Sequence, residues 1–217
     1  MNTQRRHLLA AGVGVSLSLA LSARAEEESD QPGYFPIPAQ PIDDQNRIEV
    51  REFFYYGCGA CYAFEPYLRA WEQEMSPDVA LVRTPALRNT RWIPLTMVYF
   101  TLLKLGAHKR LHQNVFDAYH FDHIDLGDRN AFIEWAAGKD LAADAVQSAW
   151  ESKEVAMAVE LTQLTTRRYA VQGVPTLVVD GRFLTSPSIA RGQQEALAVV
   201  DELVARRRME RFRGDDS

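Results

Sequence analysis

Cysteine is nearly absent: the chain of 217 residues holds only two, Cys58 and Cys61. Any internal disulfide must close across that short loop, where it restrains almost nothing in the unfolded chain and adds little stability. The pair therefore reads as chemical and not structural. A long apolar run is also missing, since the best one, from about Leu8 to Leu21, is too short for a comfortable bilayer crossing. Excess positive charge is missing too: 24 basic against 29 acidic residues give a formal charge of −5, which removes the electrostatic ground for binding nucleic acid or anionic lipid. No internal repeat or low-complexity tract is found. What is present, 47% hydrophobic and 24% charged residues, fits one globular domain with room for an insertion and needs no disulfide staples.

The first twenty-five residues differ in kind. A basic start at Arg5 and Arg6, the apolar segment and then Ala23-Arg24-Ala25 form the order of a secretory signal cleaved after Ala25. The paired arginines also resemble a twin-arginine export signal, so both routes stay open, and either delivers a periplasmic product. Cleavage removes three arginines and no acid, taking the formal charge from −5 to −8. Outside the cytosol a lone Cys-x-x-Cys is available for thiol exchange.

Residues 26–47 are acidic and then rich in proline, which predicts an extended lead-in with at most one short edge strand near Tyr34 to Ile37. Ile48 to Tyr56 reads as a strand entering the middle of a sheet. After Cys58 the spacing of Cys61, Phe64, Tyr67, Leu68, Trp71 and Met75 becomes helical, with Pro66 expected to kink the helix and not stop it. Val79 to Pro85 reads as a second buried strand. Nearly eighty residues of helical periodicity follow, in segments at Leu95 to Leu105, Leu111 to Phe121, Arg129 to Gly138, Ala142 to Trp150 and Ser152 to Tyr169. Val174 to Val179 is expected as a strand, Asp180-Gly181 as a hairpin turn, Arg182 to Leu184 as its partner and Ile189 to Arg213 as a closing helix. The division that results is a first sheet part over 48–90, an inserted helical domain over 91–169 and a second sheet part over 170–217. The basic run Arg206-Arg207-Arg208 and Arg211 to Arg213 is expected to be solvated at a helix end.

A thiol becomes a nucleophile by losing its proton, and unpaired N–H groups at a helix start stabilise the thiolate. Cys58 is thus the expected attacking sulfur. Cys61, one turn later on the same face, is within its reach and should be more buried. The competing reading is half of a zinc site completed by His108, His112, His120 or His123. Among the aromatics most should be core, with Tyr56 and Tyr62 the best placed to line a substrate groove.

Two segments carry a resemblance. Glu52-Phe53-Phe54 followed by Cys58-Gly59-Ala60-Cys61-Tyr62-Ala63-Phe64-Glu65 resembles the active-site segment of the DsbA family of periplasmic thiol:disulfide oxidoreductases, and Gly173-Val174-Pro175-Thr176-Leu177-Val178-Val179-Asp180-Gly181 resembles that family's second signature. The resemblance implies an α/β fold, thioredoxin-like with an inserted helical domain. It implies a cis Val174-Pro175 bond packed against the cysteine pair, with Val174 offering an edge for strand-like pairing to a peptide substrate. It implies reduced exported polypeptides as substrates, a DsbB-like membrane quinone-linked oxidase as partner, a monomer, and no cofactor or metal. Glu52 aligns with a buried acid beneath the family's active site and has Arg83 as suggested partner; solvation at a sheet edge is the alternative. Gly59-Ala60 stands where proline and histidine are common, and alanine neither donates to nor charge-stabilises a thiolate, so a milder oxidant is expected. The rival functions are a periplasmic reductase or isomerase, and a metal carrier using the thiols.

Overall fold

A computed structural model describes residues 33–214; the expected export signal and its cleavage after Ala25 lie outside them. Five strands form one sheet in the order β1-β5-β4-β2-β3. They are β1 Phe35–Pro36, β2 Ile48–Phe54, β3 Val79–Pro85, β4 Thr176–Val179 and β5 Phe183–Thr185. Strand β2 runs parallel to β3 and antiparallel to β4. It lies between them, so every residue of it is buried. Successive side chains of a strand point to opposite faces. Ile48 and Val50 meet Phe64, Leu68, Val200 and Leu203 on one face, and Phe53 meets Tyr169 and Val178 on the other.

Helix α1, Gly59–Glu74, carries Pro66 within it and continues past it, as expected. After β3 and a single 3-10 turn at Thr90–Trp92 come α2 Ile93–Lys104, α3 His108–His120, α4 Arg129–Ala137, α5 Ala143–Trp150 and α6 Lys153–Arg168. Their starts are legible in the sequence: Asp128 accepts hydrogen bonds from the N–H groups of Asn130 and Ala131, and Ser152 from that of Val155. Helices α2 to α5 share a core running from Phe54, Tyr56 and Cys61 through Val98, Phe116 and Phe132 to Val146. Hydroxyl groups fasten α2 and α6 to the end of β3. Thr162 Oγ1 donates to the Pro85 carbonyl at 2.7 Å, Thr166 Oγ1 accepts from Leu87 N–H at 3.0 Å, and the Tyr99 hydroxyl donates to the Arg83 carbonyl at 2.9 Å. The fold is thus thioredoxin-like with a helical insertion. Among the described residues no helix is long and apolar enough to cross a membrane.

Two expected strands are shorter than their apolar patterns. Strand β2 stops at Phe54 because the chain turns at Tyr55 to present Cys58, and β4 starts at Thr176 because Pro175 has no N–H to give a neighbouring strand. The closing helix α7 spans Gln193–Arg213. Its basic run departs from the solvated reading at Arg207 and in part at Arg211, while Arg206, Arg208 and Arg213 stay exposed. Arg207 is buried and its Nε donates to Asp180 Oδ2 at 2.7 Å, Arg211 Nη2 donates to Asp180 Oδ1 at 2.6 Å, and Arg208 Nε reaches Asp78 Oδ2 at 2.7 Å. The helix lies against the hairpin end, so the guanidinium groups of Arg207 and Arg211 meet Asp180 there.

Asp180 and Gly181 have φ of 51° and 64°, the positive values that an Asp-Gly hairpin turn requires. The lead-in packs against this turn: Gln40 N–H donates to the Gly181 carbonyl at 2.9 Å. It is tied further along by Tyr169, whose hydroxyl donates to the Pro41 carbonyl at 2.9 Å, and by Arg51, which bonds Asp43 and Glu49 at 2.8 Å each. A Cβ at position 181 would collide with the Gln40 backbone. Gly181→Ala is therefore expected to cost at least about 1–2 kcal/mol for the left-handed conformation alone, read as a lowered denaturant midpoint with unchanged slope.

Candidate active site at the Cys58-Cys61 turn

Cys58 is the N-cap of α1, with φ −95° and ψ 114°. Its sulfur therefore faces the first turn, where backbone donors have no partner within the helix. Cys61 N–H donates to Cys58 Sγ at 3.4 Å. Both residues are thiols in the structure; Cys58 is half-buried, and Cys61 is enclosed. The electrostatics separate them. Hydrogen bonding from the Cys61 thiol, helped by the N–H groups of Cys61 and Ala60 and opposed by partial burial, lowers the Cys58 thiol from its ordinary 9.0 to about 6. Burial pushes Cys61 far above the ordinary thiol range, and bonding to Cys58 adds to it. One sulfur is an accessible thiolate at neutral pH, and the other holds its proton.

Across from the sulfur, the Val174-Pro175 bond is cis and the Cys58 thiol reaches the Val174 carbonyl at 3.5 Å. A groove of about 410 Å³ runs past Ala60, Gly173, Val174 and Pro175 to Leu184 and Ile189. Gly59 and Ala60 are exposed, and a Cβ built on Gly59 meets nothing within 4 Å. An incoming chain therefore meets no side chain between the two cysteines larger than a methyl.

Of the two tyrosines expected to line a substrate groove, neither is among the residues around this cavity, and Tyr56 is enclosed. Tyr56 is buried in the helical core, its hydroxyl 2.8 Å from His112 Nδ1 and its ring edge-on to Phe54 and Phe116. The aromatic run carries on into the core instead of turning outward, which overturns its assignment to substrate. Tyr62 is half-buried and stacks on His120, with ring centroids 4.9 Å apart.

Glu52 lies on β2 in direct register with Arg83 on β3. It is buried in mid-sheet, so the sheet-edge alternative does not hold. Burial first, and then the negative charge of Glu65, push its carboxyl up to about 8, with Arg83 pulling the other way. Arg83 is not its partner alone: the Nε to Glu52 Oε2 distance is 3.6 Å, while Nη1 to Glu72 Oε2 is 2.9 Å and Nη2 to Glu65 Oε1 is 3.2 Å. Sequence reasoning missed Glu65 and Glu72, and it singled out His112 only as a possible zinc ligand beside the cysteines, not as a neighbour of Glu65. The signal for Glu65 and His112 was there. Glu65 follows Cys61 at i+4 within the buried stripe Cys61, Phe64, Glu65 and Leu68, and His112 lies in the stripe Leu111, His112, Val115 and Phe116. A polar residue on an apolar stripe needs a buried partner. The zinc reading is not favoured by the geometry either: among the described residues, the only metal-capable cluster of three comprises Glu52, Glu65 and His112 and contains neither sulfur.

A family model described as "DSBA-like thioredoxin domain" matches residues 89–198, half of the chain. The thiol:disulfide interchange protein DsbA of Pseudomonas aeruginosa is 30% identical over 205 residues, covering 94% of this chain and 97% of that protein. The chain belongs to the DsbA family. The DsbA of Bordetella pertussis is 34% identical over 208 residues, with 95% and 98% of the two chains covered. The crystal structure of Pseudomonas aeruginosa DsbA superposes with a TM-score of 0.79 at 31% identity, over 83% of this chain and 95% of that one. A DsbA-family chain is a thiol:disulfide oxidoreductase, and the separated acidities of its two sulfurs suit that activity.

Proposed function

We propose that this DsbA-family chain is exported to the periplasm, loses a signal after Ala25, and there donates its Cys58-Cys61 disulfide to newly exported proteins. A substrate thiolate attacks Cys58 Sγ, the internal S–S bond breaks, and Cys61 leaves with the electron pair and takes up a proton. A second substrate thiolate then attacks the substrate sulfur of the mixed disulfide, and Cys58 leaves as its stabilised thiolate. Two electrons pass to the enzyme and a disulfide remains on the substrate. A DsbB-like membrane quinone-linked oxidase removes those electrons and restores the Cys58-Cys61 bond. The observation that carries this reading is the Cys58 sulfur at the helix start, lowered to about 6 beside an open groove: a well-stabilised leaving thiolate drives the pair toward reduction of itself and oxidation of its substrate. An extended substrate segment pairs with the backbone at Val174 and Pro175, while Glu52, Arg83, Gly59 and Ala60 set the field around the sulfurs.

Trapping tests the scheme. In a Cys61→Ala variant the Cys58 thiolate attacks a disulfide of an exported polypeptide, whose own S–S bond breaks to release one substrate thiolate. The mixed disulfide that forms has no Cys61 thiol to reverse it, so covalent complexes should accumulate through Cys58 and disappear on reduction. Absence of such complexes from cells expressing the exported variant would reject the exchange mechanism.

A further inference from the structure

Three side chains on separate elements converge behind the thiol pair with their bonding capacity only partly used. Glu52 Oε2 from β2, Glu65 Oε2 from α1 and His112 Nε2 from α3 are all buried and have no hydrogen-bond partner, although buried polar groups in folded proteins nearly always have one. The three residues are each more than nine-tenths enclosed. Their ligand atoms lie within 4.8 Å of one another. Glu65 Oε2 and His112 Nε2 are 3.5 Å apart, too far for a strong hydrogen bond. That spacing suits the edge of a tetrahedron around an ion with ligands at about 2.0–2.2 Å.

We propose that Glu52, Glu65 and His112 form a binding site for one divalent first-row metal ion, separate from the two cysteines. An imidazole with two carboxylates is a donor set that zinc and its neighbours accept. The second ring nitrogen supports the assignment. His112 Nδ1 lies 2.8 Å from the Tyr56 hydroxyl, so an N–H on Nδ1 donates there and leaves the Nε2 lone pair facing the carboxylates, the usual outer-shell arrangement of a ligating histidine. Charge supports it as well. Arg83 contacts Glu52, Glu65 and Glu72, so one guanidinium faces three carboxyl groups, of which Glu52 holds its proton near neutral pH, and a divalent ion that displaces that proton offsets the negative charge left over. Arg83 Nη2 takes Oε1 of Glu65 and leaves Oε2 to ligate. A cavity of about 190 Å³ lined by Glu65, Glu72, Arg83 and His112 gives a route to the site. Arg69, Lys109 and Arg110 line that cavity too, so uptake is slow and the titration must be run to equilibrium.

The mature protein in its disulfide form, in which neither sulfur can ligate, is titrated with zinc chloride by calorimetry, and cobalt(II) serves as the spectroscopic probe. The expected result is one equivalent of zinc and visible cobalt bands of a four-coordinate site. Loss of an outer-shell partner alone costs about 10–100-fold in affinity, so Glu65→Gln and His112→Phe should each weaken zinc by at least that much. His123→Ala, at an exposed histidine, should bind as the parent does. No saturable zinc uptake overturns the proposal, as does loss of uptake in His123→Ala. Should His112→Phe fail to fold, Glu65→Gln decides: undiminished affinity in a variant with parental circular dichroism and unfolding midpoint also overturns it. Thiol exchange plays no part in this measurement, so its failure leaves the redox function untouched.

Discussion

Cys58→Ser is expected to leave a folded protein with no measurable oxidation of reduced substrate, a loss of at least about three orders of magnitude, as for other nucleophile deletions. A dithiol substrate assay checks it, and the parent protein supplies a second readout. Thiolate absorbance of the reduced form should rise with a midpoint near pH 6 and come from one sulfur, since Cys61 stays protonated. The sign of the stability effect follows. The folded value lies below the unfolded one, so the thiolate stabilises the reduced protein fully above pH 9, and that contribution fades as pH falls through 6. At pH 7 it amounts to about 1 kcal/mol after allowing for solvent screening of a half-exposed sulfur. Denaturant midpoints of reduced parent and Cys58→Ser should therefore diverge between pH 6 and 9 and coincide at pH 5. A midpoint near 6 lies between the values of about 3.5 and 7 known for a strong and a weak member of the superfamily. Equilibration with glutathione should accordingly give a potential more negative than about −120 mV; a value that oxidising would sink the argument from the missing histidine.

Asp180→Ala should be the most damaging single change to stability outside the core. It strips two guanidinium groups, Arg207 and Arg211, of the acid they share at 2.7 and 2.6 Å. Removing one partner of a buried ion pair costs about 3–5 kcal/mol because a charge stays in the interior without its counterpart. The lower end applies here, since Arg207 keeps Glu210. At roughly 2–4 °C per kcal/mol for a domain of this size, a calorimetric midpoint about 6–12 °C lower is expected. A shift under about 2 °C would show that the pair is solvated in solution. The acid lies at the hairpin end of β4, and Pro175 precedes the other end.

Much of this was legible in the chain. Alternation in Ile48 to Phe54, the Asp-Gly turn and the caps Asp128 and Ser152 are local, and local patterns set the elements in their order. The thiol pair was legible because two cysteines three apart have few alternative uses. Other features depend on neighbours distant in sequence. Tyr56 meets His112, Arg207 meets Asp180, and Glu65 meets Arg83, across separations that no local period encodes. A tyrosine after a strand reads the same whether the chain sends it outward or into a helical core. Likewise, an arginine run at a helix end looks solvated until the hairpin that it covers is in view.

The bare dipeptide between the cysteines has an evolutionary corollary. Because positions 59 and 60 are exposed and a side chain built on Gly59 meets nothing, substitutions there can retune electron affinity at little cost to packing. Redox strength in this lineage is thus free to drift, or to be selected, independently of how well the protein folds.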